Sequence, residues 1–299
     1  MTPAPVDIAA ARAALIQLSQ TLPALLRAVG DPHRHAVGRW DIAETATHLT
    51  HAWAVIPALS RGDLEGARAG FPGWVGGPDG ALMTGMLDLD PLTVAAVGAD
   101  PERDLGKLAA RIEARATEIA ASFSADPHAD PRPWMFEGML VPQTHFACHL
   151  LNESVVHGLD IAKAAGIRWP VEAVHAALVL RGFLLPMTEY LSRPLGFPPG
   201  DPGSGRVVEI RLRGGAGRSR IHLGEHEICV DGPCDQPIDS HLSVTPLAML
   251  ELVWARRTLP ALVASGKLTV WGRRPWTALA LQKRATPAGV QAGLERKGQ

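Results

Sequence analysis

Cysteine is scarce in this chain. Three occur in 299 residues, Cys148, Cys229 and Cys234. That is too few for a disulfide framework and fits a reducing, cytoplasmic setting. No sign of charge is in excess, because 29 lysines and arginines face 30 aspartates and glutamates. The basic face that nucleic-acid binding needs is therefore not expected, and neither is a nucleic-acid partner. Long apolar runs are missing too. All fall well short of the roughly 20 residues that cross a bilayer and are broken by charges, so no membrane span is expected. No charged-then-apolar leader precedes the first helical pattern, which argues against a signal peptide. Repeats and low-complexity tracts are also lacking. What remains is 46% hydrophobic and 20% charged, ordinary for a globular protein of one or two domains. Histidine, with 12 copies, is the abundant titratable residue, and it suits metal or acid–base chemistry.

The first half reads as helices. Leu15, Leu18, Leu22, Leu25, Leu26 and Val29 repeat at three and four within residues 5–29, one buried stripe that Pro23 is expected to kink. A second helix starts near Trp40, where Asp41 and Glu44 have capping-box spacing, and its stripe is Ile42, Leu49, Trp53 and Ile56. Residues 62–100 read as one long Gly-, Pro- and Met-containing segment, the kind that is usually functional inside a compact domain. From Leu64 to Asp100 it carries one cation, Arg68, against five acids. A third helix is expected over 101–123, with Asp100 as its N-cap and Pro101 at the first position. A fourth covers 141–165 and ends at Gly166. A fifth covers 171–191.

Residues 192–205, rich in Gly and Pro, read as a linker. Beyond them the period drops to two. Val208, Ile210 and Leu212, then Ile221 and Leu223, then Ile228 and Val230, mark half-buried antiparallel strands. A helix opens at Thr245–Pro246, a strand holds Leu268 and Val270, and a last helix starts near Trp276. The expected fold is an all-α four-helix bundle over 1–191, followed by a small α+β domain over 206–291 and a tail at 292–299. No uniform apolar stripe marks an interface, so a monomer or small homo-oligomer is expected.

The chemistry concentrates in residues 145–166, HFACHLLNESVVHGLDIAKAAG. Glu153 and His157 stand four apart on a helix, about 40° apart in angle and about 6 Å along the axis. A carboxylate and an imidazole so placed can reach one metal ion. His48 of the second helix offers a third ligand, since inward His and Glu side chains close metal sites in bundle cores. Two imidazoles and one carboxylate leave positions open, as catalytic sites do. The bland alternative is a core histidine beside a helical hydrogen-bonded pair. A rival ligand pair is His145–His149, but four residues spaced by fours drift by about 40° per step and cannot all face one point. His149 then supports the site from behind or lies on the surface one turn away. His51, three residues after His48, is either a supporting partner or exposed, with exposure expected. Asp160 either orients a neighbouring group or helps end the helix. Cys148 reads as packing, and Cys229 with Cys234 as ordinary cysteines.

The segment WDIAETATHLTHAW resembles the second-helix motif of the DinB-like, mycothiol-dependent maleylpyruvate isomerase family. NESVVHGLDIAKAAG resembles that family's Glu-x-x-x-His-x-x-Asp-x-Ala motif, and residues 207–284 resemble the sterol-carrier-like domain that closes many members. The resemblance implies a DinB-like bundle plus a sterol-carrier-like domain. It places the family's metal ligands on His48, Glu153 and His157 and the motif's Asp on Asp160. It implies a divalent metal, most often zinc, and mycothiol as cosubstrate.

A free thiol is mostly protonated at neutral pH, its pKa being about 8.5, and a divalent cation removes that proton. The thiolate then adds to an electrophilic small molecule. If the adduct keeps the thiol, the enzyme is an S-transferase; if it rotates and expels it, a cis–trans isomerase. Maleylpyruvate has two carboxylates, which call for cations. Arg68, Arg273 and Arg274 are the substrate- or thiol-binding candidates, and a bulkier or more neutral electrophile is an equal alternative. Two other readings are a metal-dependent hydrolase using bound water and a non-catalytic module that binds an apolar ligand.

Overall fold

The computed structural model describes residues 6–72, 89–123, 131–134, 139–192, 201, 203–225 and 227–285. These residues are mixed α and β and divide into two compact units, Asp7–Val171 and a second from Glu172 onward.

In the first unit α1 is Ile8–Ala28, β1 His35–Val37, β2 Trp40–Asp41, α2 Ile42–Arg61, α3 Leu64–Ala69, α4 Leu89–Ala99, α5 Leu105–Ser122, β3 Arg132–Pro133, β4 Leu140–Val141 and α6 Gln143–Ala165. Helices α1 and α2 each pack on both α5 and α6, which closes a four-helix ring. The apolar stripes meet inside it. Leu15, Leu22, Leu26, Leu49, Trp53, Ile112 and Phe146 are fully buried. Burying each such side chain contributes about 1.5–3 kcal/mol relative to exposure.

The ends of α2 follow from its sequence. Asp41 accepts from the Glu44 amide at 2.8 Å while Glu44 accepts from the Asp41 amide at 3.0 Å, so the expected capping box forms. Gly62, at φ 75°, supplies the left-handed residue that stops the helix. Gly166, at φ 70°, does the same for α6.

Several expectations change. The long segment after Gly62 contains helices α3 and α4, and its residues 73–88 lie outside the described residues. The third expected helix starts at Leu105, not at Pro101. Its cap is Asp104, which accepts from the Lys107 amide at 2.9 Å. Asp100 is unavailable for capping because its carboxylate takes His51, Arg111 and the Glu102 amide. Pro23 sits within α1, as expected.

The second unit holds α7 Ala173–Val179, a π-helical turn Leu180–Leu184, α8 Leu185–Ser192, β5 Arg206–Leu212, β6 Gly217–Leu223, β7 Ile228–Val230, β8 Ser240–Val244, α9 Pro246–Val253, α10 Leu259–Ala264, β9 Leu268–Trp271 and α11 Thr277–Ala285. The five strands run in the order β7-β6-β5-β8-β9. All neighbours are antiparallel except β5 and β8, which are parallel. That parallel pair differs from the antiparallel reading, and strand β8 and helix α10 were not expected. The residues expected to form the fifth bundle helix pack instead on α9 and β7, so they belong with the sheet and the division falls before the Gly/Pro-rich linker. The part of the linker at 193–200 and the tail at 292–299 lie outside the described residues.

Candidate metal centre

Two adjacent ring members, α2 and α6, carry the site. A buried bond sets their register, Trp53 Nε1 donating to Ser154 Oγ at 3.0 Å. One residue from Ser154, Glu153 points toward α2. His48 Nε2 lies 3.1 Å from Glu153 Oε2, and His157 Nε2 lies 3.5 Å from the same oxygen. The rings of His48 and His157 meet edge to face at 5.0 Å. One ligand atom from each of the three residues falls within 4.8 Å of the others. This is the one set of three or more His, Cys, Asp or Glu ligand atoms that closes in this way among the described residues. The three side chains are 12–14% exposed. Two nitrogens and one oxygen at this spacing fit a zinc-like divalent ion.

The surroundings set the charges. Burial pushes His48 below the ordinary imidazole range against the pull of Glu153, so its ring is neutral. Burial also disfavours a charged His157, but Asp160 and Glu153 outweigh it and raise the imidazole to about 9. Burial disfavours a charged Glu153, yet contacts with His149, His157 and His48 hold it well below the usual carboxylate range. The metal-free site therefore holds a carboxylate, an imidazolium and a neutral imidazole.

The other candidates sort as follows. Asp160 Oδ2 stands 3.3 Å from His157 Nδ1, off the line of the N–H, so it acts as an ion-pair partner rather than an aligned acceptor. The end of α6 is set by Gly166. His149 is buried behind Glu153, its Nε2 3.5 Å from Oε1. His145 is 1% exposed, lies edge-on to Trp134, and is lowered to about 3 by burial and His149. Among the described residues the rival pair His145–His149 does not converge with a third ligand. His51, expected to be exposed, is 4% exposed. Its Nε2 meets Asp100 Oδ2 at 3.1 Å. Burial lowers its pKa, Asp100 opposing, so the neutral ring donates to that carboxylate. Burial works against the Asp100 charge, but Arg111, the Glu102 amide and His51 bring it down to about 2. This cluster ties the end of α4 to α2 and α5.

Arg68 lies exposed on α3, in the unit of the metal ligands. Arg273 and Arg274, in the other unit, meet the buried carboxylate of Asp239 at 3.2 and 3.6 Å. Cys148 is fully buried and its thiol is pushed up to about 12 by burial, which removes it as a nucleophile. Cys229 and Cys234 are free and half-buried in the second unit. Sequence reading did not single out Asn152, whose amide meets Glu153, or Trp134, whose indole meets His149. Neither residue carries a spacing signal.

Gly158, next to His157, is required for packing. A Cβ there would sit 2.5 Å from two ring atoms of Trp169. Gly158→Ala is expected to destabilise the protein by about 1–3 kcal/mol through overpacking, measured by urea unfolding. An unchanged midpoint would show that Trp169 can move aside.

No known protein family matches the chain by its sequence profile, and no curated protein matches it. Among solved structures, a mycothiol-dependent maleylpyruvate isomerase, as a histidine-to-alanine mutant, superposes with a TM-score of 0.50 at 11% identity. It covers 89% of this chain and 93% of its own. Another structure of a mycothiol-dependent maleylpyruvate isomerase gives 0.49 at 10% identity with the same coverage. A UbiJ-SCP2 ubiquinone synthesis protein matches 38% of this chain and 94% of its own, with a TM-score of 0.24 and 20% identity. At such identities the 0.50 superposition speaks for a shared fold alone.

Proposed function

We propose that this chain is a cytoplasmic metalloenzyme that activates a low-molecular-weight thiol, mycothiol, for attack on an electrophilic small molecule. The outcome is S-transfer or cis–trans isomerisation. In this reading the first unit is a DinB-like bundle and the second a sterol-carrier-like domain. The observation that carries it is the convergence of His48, Glu153 and His157 within 4.8 Å. A fold shared with a mycothiol-dependent isomerase supports the choice of thiol.

His48, Glu153 and His157 hold the ion, with zinc as the first choice for an N,O,N donor set. When bound, a divalent cation lowers the proton affinity of a thiol or a carbonyl substrate's electron density. The chain's own residues do the rest. Asp160, 3.3 Å from His157 Nδ1, would steady that ring for an ion, Trp40 lies against the His48 ring at 5.0 Å, and the bundle core keeps water from the back of the site. Cys148, the cysteine of the first unit, is buried with its thiol pushed up to about 12, so the sulfur nucleophile is taken to come from outside. Retention of sulfur in the product defines an S-transferase, and its expulsion after bond rotation defines an isomerase.

Arg68 is the cation of the first unit proposed to meet an anionic substrate or thiol. Arg273 and Arg274 serve that role only by leaving Asp239. A water-using hydrolase shares the same ligands and is separated by thiol dependence. The apolar-ligand module has less support. The second unit has an apolar cavity lined by residues such as Leu184, Ile210, Leu242 and Met249, but its volume is about 40 Å³, far below the roughly 300–1,000 Å³ of ligand pockets.

The test is turnover of maleylpyruvate and of a panel of neutral epoxides and activated alkenes, with zinc and with or without mycothiol. Activity is expected only when both are present. Equal turnover without any thiol would replace this reading with the hydrolase.

A further inference from the structure

Glu153 has two oxygens, and they have different surroundings. Oε2 faces His48 and His157. Oε1 faces away, toward Asn152 and His149. The Asn152 Nδ2 to Oε1 distance is 3.1 Å. A carboxylate only accepts, so the amide nitrogen of Asn152, not its oxygen, must point there. His149 brings Nε2 to 3.5 Å from the same oxygen. Which nitrogen of His149 carries the proton follows from its other neighbour. Trp134 Nε1 lies 3.3 Å from His149 Nδ1. An indole N–H only donates, so Nδ1 must accept, and a neutral ring then bears its proton on Nε2. That places the proton on the nitrogen nearest Glu153, 3.5 Å from Oε1. Asn152, His149 and Trp134 are all buried, at 1%, 7% and 3% exposure.

We infer that Asn152 and His149 are positioning residues that occupy one oxygen of Glu153, so that it offers the metal a single oxygen, with Trp134 setting the tautomer of His149. This rests on the metal reading above. A carboxylate held at one oxygen binds monodentately, and the site then presents three ligand atoms instead of four. The position saved is available to thiol and substrate. Removal of the donors frees Oε1 to turn inward and bind as well, which raises the coordination number and crowds the open position.

Cobalt(II) loaded in place of the native ion reports this directly, because its visible absorption is intense in four-coordinate sites and weak in six-coordinate ones. The full chain and the variants Asn152→Leu, His149→Phe, His149→Gln and Trp134→Phe are loaded with cobalt, and affinity and spectrum are recorded. Asn152→Leu and His149→Phe are expected to weaken binding about 10–100-fold and to lower the absorption per bound cobalt. His149→Gln, whose amide can donate near the place of Nε2, restores the wild-type spectrum. Trp134→Phe, which frees the tautomer, moves the spectrum in the same direction as His149→Phe by a smaller amount. A wild-type spectrum in both Asn152→Leu and His149→Phe overturns the inference. If either fails to fold by circular dichroism, the Trp134→Phe spectrum decides in its place. Failure of the wild type itself to bind cobalt or zinc would defeat the metal reading, an outcome distinct from bound metal with an unmoved spectrum.

Discussion

Glu153→Gln is expected to leave the protein folded and strip it of metal. The substitution keeps the volume of the side chain and one oxygen, but removes the negative charge on which His48 and His157 converge. Zinc sites with four ligands bind with about 10–16 kcal/mol, so one ligand is worth about 2.5–4 kcal/mol, or two to three powers of ten in affinity. After dialysis of metal-replete samples, the wild type should retain close to one ion per chain and the variant close to none. A second readout is independent of metal. His157 is raised to about 9 against burial by Asp160 and Glu153 together, so in metal-free Glu153→Gln its pKa should fall part of the way back, Asp160 remaining. Proton NMR titration of the imidazole measures this. Stoichiometric metal in the variant, or none in the metal-replete wild type, would remove Glu153 from the ligand set.

Metal affinity and metal-free stability are expected to move in opposite directions with pH. The folded-state pKa of His157, about 9, lies above its unfolded value of about 6.5. A raised pKa stabilises the fold in its protonated form. That stabilisation is complete below about pH 6.5 and is lost as pH rises through about 9. A shift of this size corresponds to roughly 3 kcal/mol. The metal needs the neutral ring, so the same proton competes with it. Apparent affinity should therefore rise about tenfold per pH unit between about 6.5 and 9, and level off above. Urea unfolding of the metal-free protein and metal titration across pH 6–10 test both slopes. Glu153 adds the opposite linkage at acid pH. Its pKa is depressed by His149, His157 and His48 against burial, so its stabilisation is present above about pH 4.3 and is lost as pH falls. A metal affinity independent of pH over this range would mean that His157 is neutral in the metal-free protein, and that Asp160 does not hold its proton.

Metal enters the site more readily as pH rises, while the metal-free fold loses part of its support. Protein stored without metal at high pH should thus be the least stable form, and added zinc should protect it.

By itself, the sequence determined the helices and the residues that can coordinate. Spacing of three and four placed α1 and α2. The capping-box residues Asp41 and Glu44 and the stop at Gly166 are local chemistry, complete within four residues, so they were legible. The four-residue step from Glu153 to His157 is local as well, because helix geometry fixes where both side chains point. Tertiary structure decided what depends on a partner far along the chain. Asp100 looked like a helix cap, but the pairing with His51 and Arg111 claimed it and moved the helix start to Leu105. His51 looked like a surface residue until α4 brought Asp100 to it. The parallel pairing of β5 with β8 joins segments some 30 residues apart, which alternation within one strand does not specify. Residues 173–192 carry an apolar helical stripe that would serve either unit, and only the packing on α9 and β7 assigned it. Within the site, periodicity named Glu153 but not which of its oxygens is free. That choice belongs to Asn152, His149 and Trp134, whose donors reach one carboxylate oxygen only once α6 is packed in the bundle.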